Sequence, residues 1–262
     1  DCHADFIRGL LRGTVCIMRN AVSERVRAWL FAHADVSYRD FQSALLPSLP
    51  PETVIGVRTP LLRAYAKELA ACADSRIYCA ELPHGYYEEN NLHGLCIERL
   101  LDREDALCAL ERFLPYVDNW ATCDLLHIRS FDRDPMWILP KAEQYLHVSH
   151  AFTVRFGIGL LMRYFAEDRF DVAYPDAVIA SLAPYPASAL TAVAKGTVSK
   201  QIYDAYYVHM MAAWYFATLL AKQDAAILPY FTEHRLPPET HNRAIRKALE
   251  SYRVSEERKA CL

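Results

Sequence analysis

Four constellations in the sequence combine residue types able to act on a charged ligand. The first is VDNWATCDLL, residues 117–126, in which Trp120 and Asp124 stand four apart. Once a helix has started near Asn119, this spacing puts indole and carboxylate on one face. An indole plane beside a carboxylate suits a cationic ligand or a transient positive charge. The ring contributes about 0.5–2 kcal/mol of cation–π attraction. The carboxylate adds a Coulomb term and can orient a water. The same residues also read as a core Trp with a capping or salt-bridging Asp.

The second constellation is AFTVRFGIGLLMRYF, residues 151–165, where Arg155 lies inside an otherwise apolar helix and Gly159 shares its face, leaving room above the backbone. An Arg so placed needs an anionic partner, because burying it unpaired is costly. A phosphate and a neighbouring carboxylate both fit its fork. In the third, DAYYVHMMAAWYF (204–216), Tyr207, Met210 or Met211, and Trp214 recur at helical spacing, the pattern of a core-facing stripe. The fourth is the C-terminal run from Arg235 to Lys259, with seven Arg or Lys against four Glu, a local excess of +3. Such a run is either a solvated face or a track for a phosphate backbone.

The elements that must position these residues are helical. Segments near 24–33, 37–48, 59–72, 86–101, 104–115, 134–146, 149–166, 203–222 and 239–250 show apolar residues at i, i+3, i+4 and i+7. Thr59 precedes Pro60, a good first-turn residue, and Asp118 or Asn119 can cap the segment that carries Trp120. Alternating β-branched runs and two-residue hairpin turns are lacking, so the chain reads as all-α. Helices of roughly 12–18 residues come in pairs about every 35–45 residues, the period of HEAT or armadillo-like solenoids, with a helical bundle as the alternative. The stretch 168–204, with prolines at 175, 184 and 186, reads as one short helix and a long connection within a single domain.

Composition sets the bounds. The chain has 262 residues, 53% of them apolar, with 32 acidic and 29 basic side chains and a formal charge of −3. That content excludes a disordered chain and supports a core without staples. Charged residues interrupt every apolar stretch well before 18 residues, which predicts no membrane span. Residues 5–20 lack the uninterrupted core of a secretory signal. The eight cysteines form no C-x-x-C, fall mostly in apolar helical stretches, and read as free core thiols in a reduced, cytoplasmic setting. His147 and His150 can share a helix face but have no third ligand nearby, so no metal is expected.

Taken together, the segments resemble the AlkD-type DNA alkylation repair family, HEAT-like repeat alkylpurine DNA glycosylases. The residues that carry the resemblance are VIGVRTPLLRAYAKELA (54–70), YYEENNLHGLCIERLL (86–101), VDNWATCDLL (117–126), FTVRFGIGLLMRYF (152–165), YYVHMMAAWYF (206–216) and HNRAIRKALESYRVSEERK (241–259). The resemblance implies an α-solenoid whose concave face grips duplex DNA, and hydrolysis of the N-glycosidic bond of cationic N3- or N7-alkylated purines. It implies no cofactor and no metal. By position, Asp124, Trp120 and Trp214 are the expected catalytic residues. Arg155, Arg58, Lys67, Arg243, Arg246 and Lys247 are the expected DNA-binding ones. The alternatives are a non-catalytic HEAT-like protein that binds distorted or branched DNA, and a helical interaction scaffold. The expected partner is duplex DNA, bound by a monomer, with bases gathered on the concave face despite the net charge of −3.

Overall fold

Helix propensity and apolar spacing are realised throughout. The computed structural model describes residues 21–262 except Ala73 and Thr197, and among these every regular element is helical. The readings of residues 5–20, and of Cys2 and Cys16, lie outside the described residues. Two units are distinguished, Asp1–Arg133 and Asp134–Leu262.

In the first unit, helical residues 21–32 form α1, followed by α2 (Val36–Leu45), α3 (Thr59–Ala70), α4 (Asp74–Cys79), α5 (Tyr87–Ile97), α6 (Arg103–Phe113) and α7 (Trp120–Leu125). Val22, Val26 and Leu30 of α1 pack with Leu62, Tyr65 and Leu69 of α3 and with Leu92 and Leu95 of α5. The α5 helix is the centre of the unit, since every one of its residues is buried. Its polar residues are therefore partnered, as burial demands. Glu88 accepts the main-chain N–H groups of Ile55, Gly56 and Val57 at 2.9, 2.7 and 3.2 Å, although burial still pushes its carboxyl above the ordinary value. Glu89 accepts from Gly85 and Tyr86 and pairs with Arg27 at 3.0 Å. His93 meets His84 at 2.8 Å, and burial pushes both imidazoles below their ordinary values, His84 to about 4.

The second unit contains α8 (Pro135–Tyr145), α9 (Ala151–Tyr164), α10 (Ala173–Ser181), α11 (Ala189–Ala194), α12 (Lys200–Lys222), α13 (Asp224–Thr232), α14 (Pro238–Glu250) and α15 (Glu256–Lys259). With no Gly or Pro to interrupt it, α12 runs for 23 residues from its Ser199 cap and packs against α9, α11 and α14. The 168–204 stretch departs from its reading: α10 and α11 are two short helices, both earlier than the start of α12. Pro175 sits in the first turn of α10, where its missing N–H costs little. Pro184 and Pro186 lie between the two helices, where they end one and precede the other. Cys96 and Cys123 are buried as core thiols and Cys79 is half-buried, whereas Cys72, Cys108 and Cys261 are exposed, against the reading of most cysteines as core.

Candidate functional site

The short helix α7 is built for rigidity. Asn119, fully buried, caps it by accepting from Thr122 N at 2.8 Å, a bond type contributing about 1 kcal/mol. The Asn119 side-chain amide donates to Thr122 Oγ1 at 2.9 Å, and that hydroxyl donates to Asn91 Oδ1 of α5 at 2.8 Å. Asn91 also hydrogen-bonds Tyr87, whose phenol burial pushes up to about 12, and Gln42 of α2 donates to that phenol oxygen. A chain of buried polar groups thus ties α7 to α5 and α2. Gly94 allows the close approach, since a Cβ there would stand 2.6 Å from Leu126 Cδ2.

On this support the two expected residues stand one turn apart. Trp120 is half-buried, packs against Leu46, Leu49, Val54 and Tyr87, and donates its indole N–H to the Leu45 carbonyl at 3.1 Å. Asp124 is half-buried on the same short helix. The geometry gives an indole held by its N–H bond to Leu45 and a carboxylate one turn further along the same short helix.

The second unit holds Trp214 differently. Tyr207, Met211 and Tyr215 face the core of α12, but Trp214 is 44% exposed. Only part of the aromatic and Met stripe is therefore core. Trp214 lines an open cavity of about 440 Å³ with Thr218, Lys247, Glu250 and Arg253. Burial pushes the Lys247 ammonium below its ordinary value. Glu250 pulls it back, and the charges of Arg243 and Arg155 push it down further. These cations of α9 and α14 are thus close enough to sense one another.

The sequence pattern of the family described as DNA alkylation repair enzyme matches residues 27–175. The chain belongs to this family. No curated protein and no solved structure matches the chain. Membership places the protein in DNA alkylation repair. The matched region of this DNA alkylation repair enzyme includes Arg58, Lys67, Trp120, Asp124 and Arg155 and ends before Trp214 and α14.

The remaining expected residues of the repair enzyme have protein partners of their own or stand at the surface of their unit. Arg155 is 5% exposed and donates Nη1 to the Tyr207 carbonyl of α12 at 2.7 Å. The room above Gly159 is taken by Met211, whose Cε would stand 3.3 Å from an added Cβ. Arg58 pairs with Asp35 at 2.7 Å and lies 4.9 Å from the Tyr38 ring. The Ser37 hydroxyl, the Tyr38 amide and Arg58 together hold the Asp35 carboxyl well below the usual range. Lys67, exposed near the other end of α3, is about 13 Å of helix rise from Arg58. On α14, Arg243 and Lys247 are half-buried and Arg246 is exposed. Arg235, Arg258 and Lys259 are engaged with Asp176, Asp224 and Glu256. His150 caps α9 by accepting from Thr153 N. Sequence reasoning missed Asn91 and Tyr87 behind Trp120. Their only signal was a polar run, EENN, inside a helix that turns out to be wholly buried. Among the described residues no helix is long and apolar enough to cross a membrane.

Proposed function

We propose that this DNA alkylation repair enzyme is a glycosylase that hydrolyses the N-glycosidic bond of N3- or N7-alkylated purines in duplex DNA. The observation that carries the reading is the Trp120–Asp124 pair on α7, anchored by the Asn119–Thr122–Asn91 hydrogen bonds. An alkylated purine is already a cationic leaving group, so bond cleavage needs little general-acid help. Charge develops instead on the sugar, which becomes oxocarbenium-like. A carboxylate fixed beforehand stabilises that charge without reorganising at the moment of reaction. Asp124 supplies the carboxylate and positions the water that attacks the anomeric carbon, while Trp120 offers its ring face to the same cation. Trp214, exposed beside Lys247, is suited to stack on the lesion's nucleotide, and Lys247 to answer a phosphate.

In this reading the helix pairs form one HEAT-like domain acting as a cytoplasmic monomer, with the lesion read at the duplex surface and no cofactor required. Arg155, Arg58, Lys67, Arg243 and Arg246 are the further phosphate contacts. The test is release of 7-methylguanine and 3-methyladenine from methylated duplex. The intact protein releases both, and Asp124→Ala loses most of the release while keeping duplex affinity. No release at high enzyme excess rejects the glycosylase reading, and equal release by the variant assigns the wrong carboxylate.

A further inference from the structure

The first unit contains a cationic cavity that the proposed cleavage step does not use; of its charged residues only Lys67 is among the phosphate contacts proposed above. Its volume is about 440 Å³, and Lys67 of α3, Arg99 just beyond α5, and Arg129 and Arg133 of the 3-10 turn after α7 line it. One acid is present, Glu98, which is 4% exposed and already saturated. Its Oε2 accepts from Arg63 at 2.9 Å, and its Oε1 accepts from Arg129 at 2.8 and 2.7 Å. Glu98 therefore fixes the Arg129 fork and offsets one of the four lining charges, leaving Lys67, Arg99 and Arg133 as the cationic excess. The side chains of Lys67, Arg99 and Arg133 make no hydrogen bond or ion pair to the protein among the described residues. Ser130 also lines the cavity. It is 7% exposed, and its buried hydroxyl has no hydrogen-bond partner among the described residues.

Four cations, one saturated acid and a donor without an acceptor describe a site prepared for oxyanions. The volume exceeds that of a bare phosphate and falls in the range of small-molecule sites, about 300–1,000 Å³. Leu100 and Leu101 give the wall an apolar part, which an ion alone would not require. We infer that this cavity binds the phosphate of a nucleotide unit, with Arg99, Arg129, Arg133 and Lys67 on the phosphate oxygens and Ser130 donating to one of them. The nucleotide comes either from a DNA strand or free from solution. The strand form rests on the proposed duplex substrate, whereas the free form does not.

The experiment compares wild type with Arg99→Gln/Arg133→Gln. Neither side chain has a partner to lose among the described residues, and a thermal melt confirms equal folding. Two probes are titrated, an unmethylated 20-base-pair duplex over a range of salt and deoxyadenosine 5′-monophosphate by calorimetry. If a strand supplies the phosphate, the double variant binds duplex about tenfold more weakly at low salt, and its salt slope falls by about two. If the ligand is free, the mononucleotide binds wild type and not the variant. In either case Ser130→Ala weakens the probe about fivefold without altering the salt slope, as loss of one hydrogen bond requires. Unchanged duplex binding together with no mononucleotide binding overturns the site. The cations would then serve only the negative ends of α3 and α5. Methylpurine release is read in parallel. Absent release with a reduced slope rejects the glycosylase while keeping this site, and normal release with an unchanged slope and no mononucleotide binding does the reverse.

Discussion

Each unit presents one Trp beside charged side chains, but the two arrangements differ in burial and in partners. On α7 the indole is half-buried, its N–H is engaged with Leu45, and the partner is a carboxylate on the same short helix. On α12 the indole is 44% exposed, and the charged groups sharing its cavity are Glu250, Arg253 and the half-buried ammonium of Lys247 on a different helix. In the proposed reading the first pair serves a cation that exists only briefly, and the second, which is open, serves an aromatic base with a phosphate beside it. Rigid placement suits transition-state stabilisation, and an exposed ring suits binding.

The largest expected break of this contrast is Asp124→Asn. It keeps the shape and removes the charge, so single-turnover release of 7-methylguanine falls about 100- to 1,000-fold with duplex affinity unchanged within twofold. Next is Asn119→Ala, which leaves both α7 residues in place but removes their support. Thermal melting should show a loss of about 2 kcal/mol, from the cap and the stranded Thr122 and Asn91 groups, accompanied by slower release. An unaltered release rate would mean that the rigidity of α7 is irrelevant to its chemistry.

Trp214→Ala is expected to change stability by less than about 0.5 kcal/mol, because the ring lies at the surface. It should weaken duplex binding by about tenfold, the effect of losing one stacked base. The smallest effect concerns Lys247, whose pKa is displaced downward from 10.5 by burial. Its folded state gives up the proton before the unfolded chain does. Stability therefore rises with pH between the folded value and 10.5, while duplex affinity falls over the same window as the charge is lost. Lys247→Arg, which stays charged, should flatten the affinity profile, and Lys247→Gln should lower the salt slope by about one. A pH-independent affinity in wild type would remove Lys247 from the duplex contact.

The sequence reading succeeded where the deciding interaction is local. Asn119 caps α7 through Thr122 three residues on, and the Trp120–Asp124 spacing needs only one helical turn. It fell short where the partner is distant or belongs to the main chain. Arg155 was read as needing an anionic partner, and nothing in a sequence marks the neutral Tyr207 carbonyl, 52 positions away, as one of its acceptors. Arg58 likewise gave no hint of Asp35, 23 positions before it. Trp214 was grouped with Tyr207 and Met211 because spacing defines a stripe but not its edge. Its neighbour Tyr215, fully buried, continues the core instead. The acidic and amide residues of α5 gave no sign of their partners, which run from Gly56 to Thr122 and come from elements on both sides.

The three main-chain amides held by Glu88 have a consequence for how the first unit opens. Ile55, Gly56 and Val57 lie in an irregular segment, where amide protons ordinarily trade with solvent within moments. Here they are released only when α5 itself withdraws its carboxylate. Their deuterium uptake therefore reports the opening of a helix to which they do not belong. A slow plateau at these positions would mark residues 54–58 and α5 as one cooperative block.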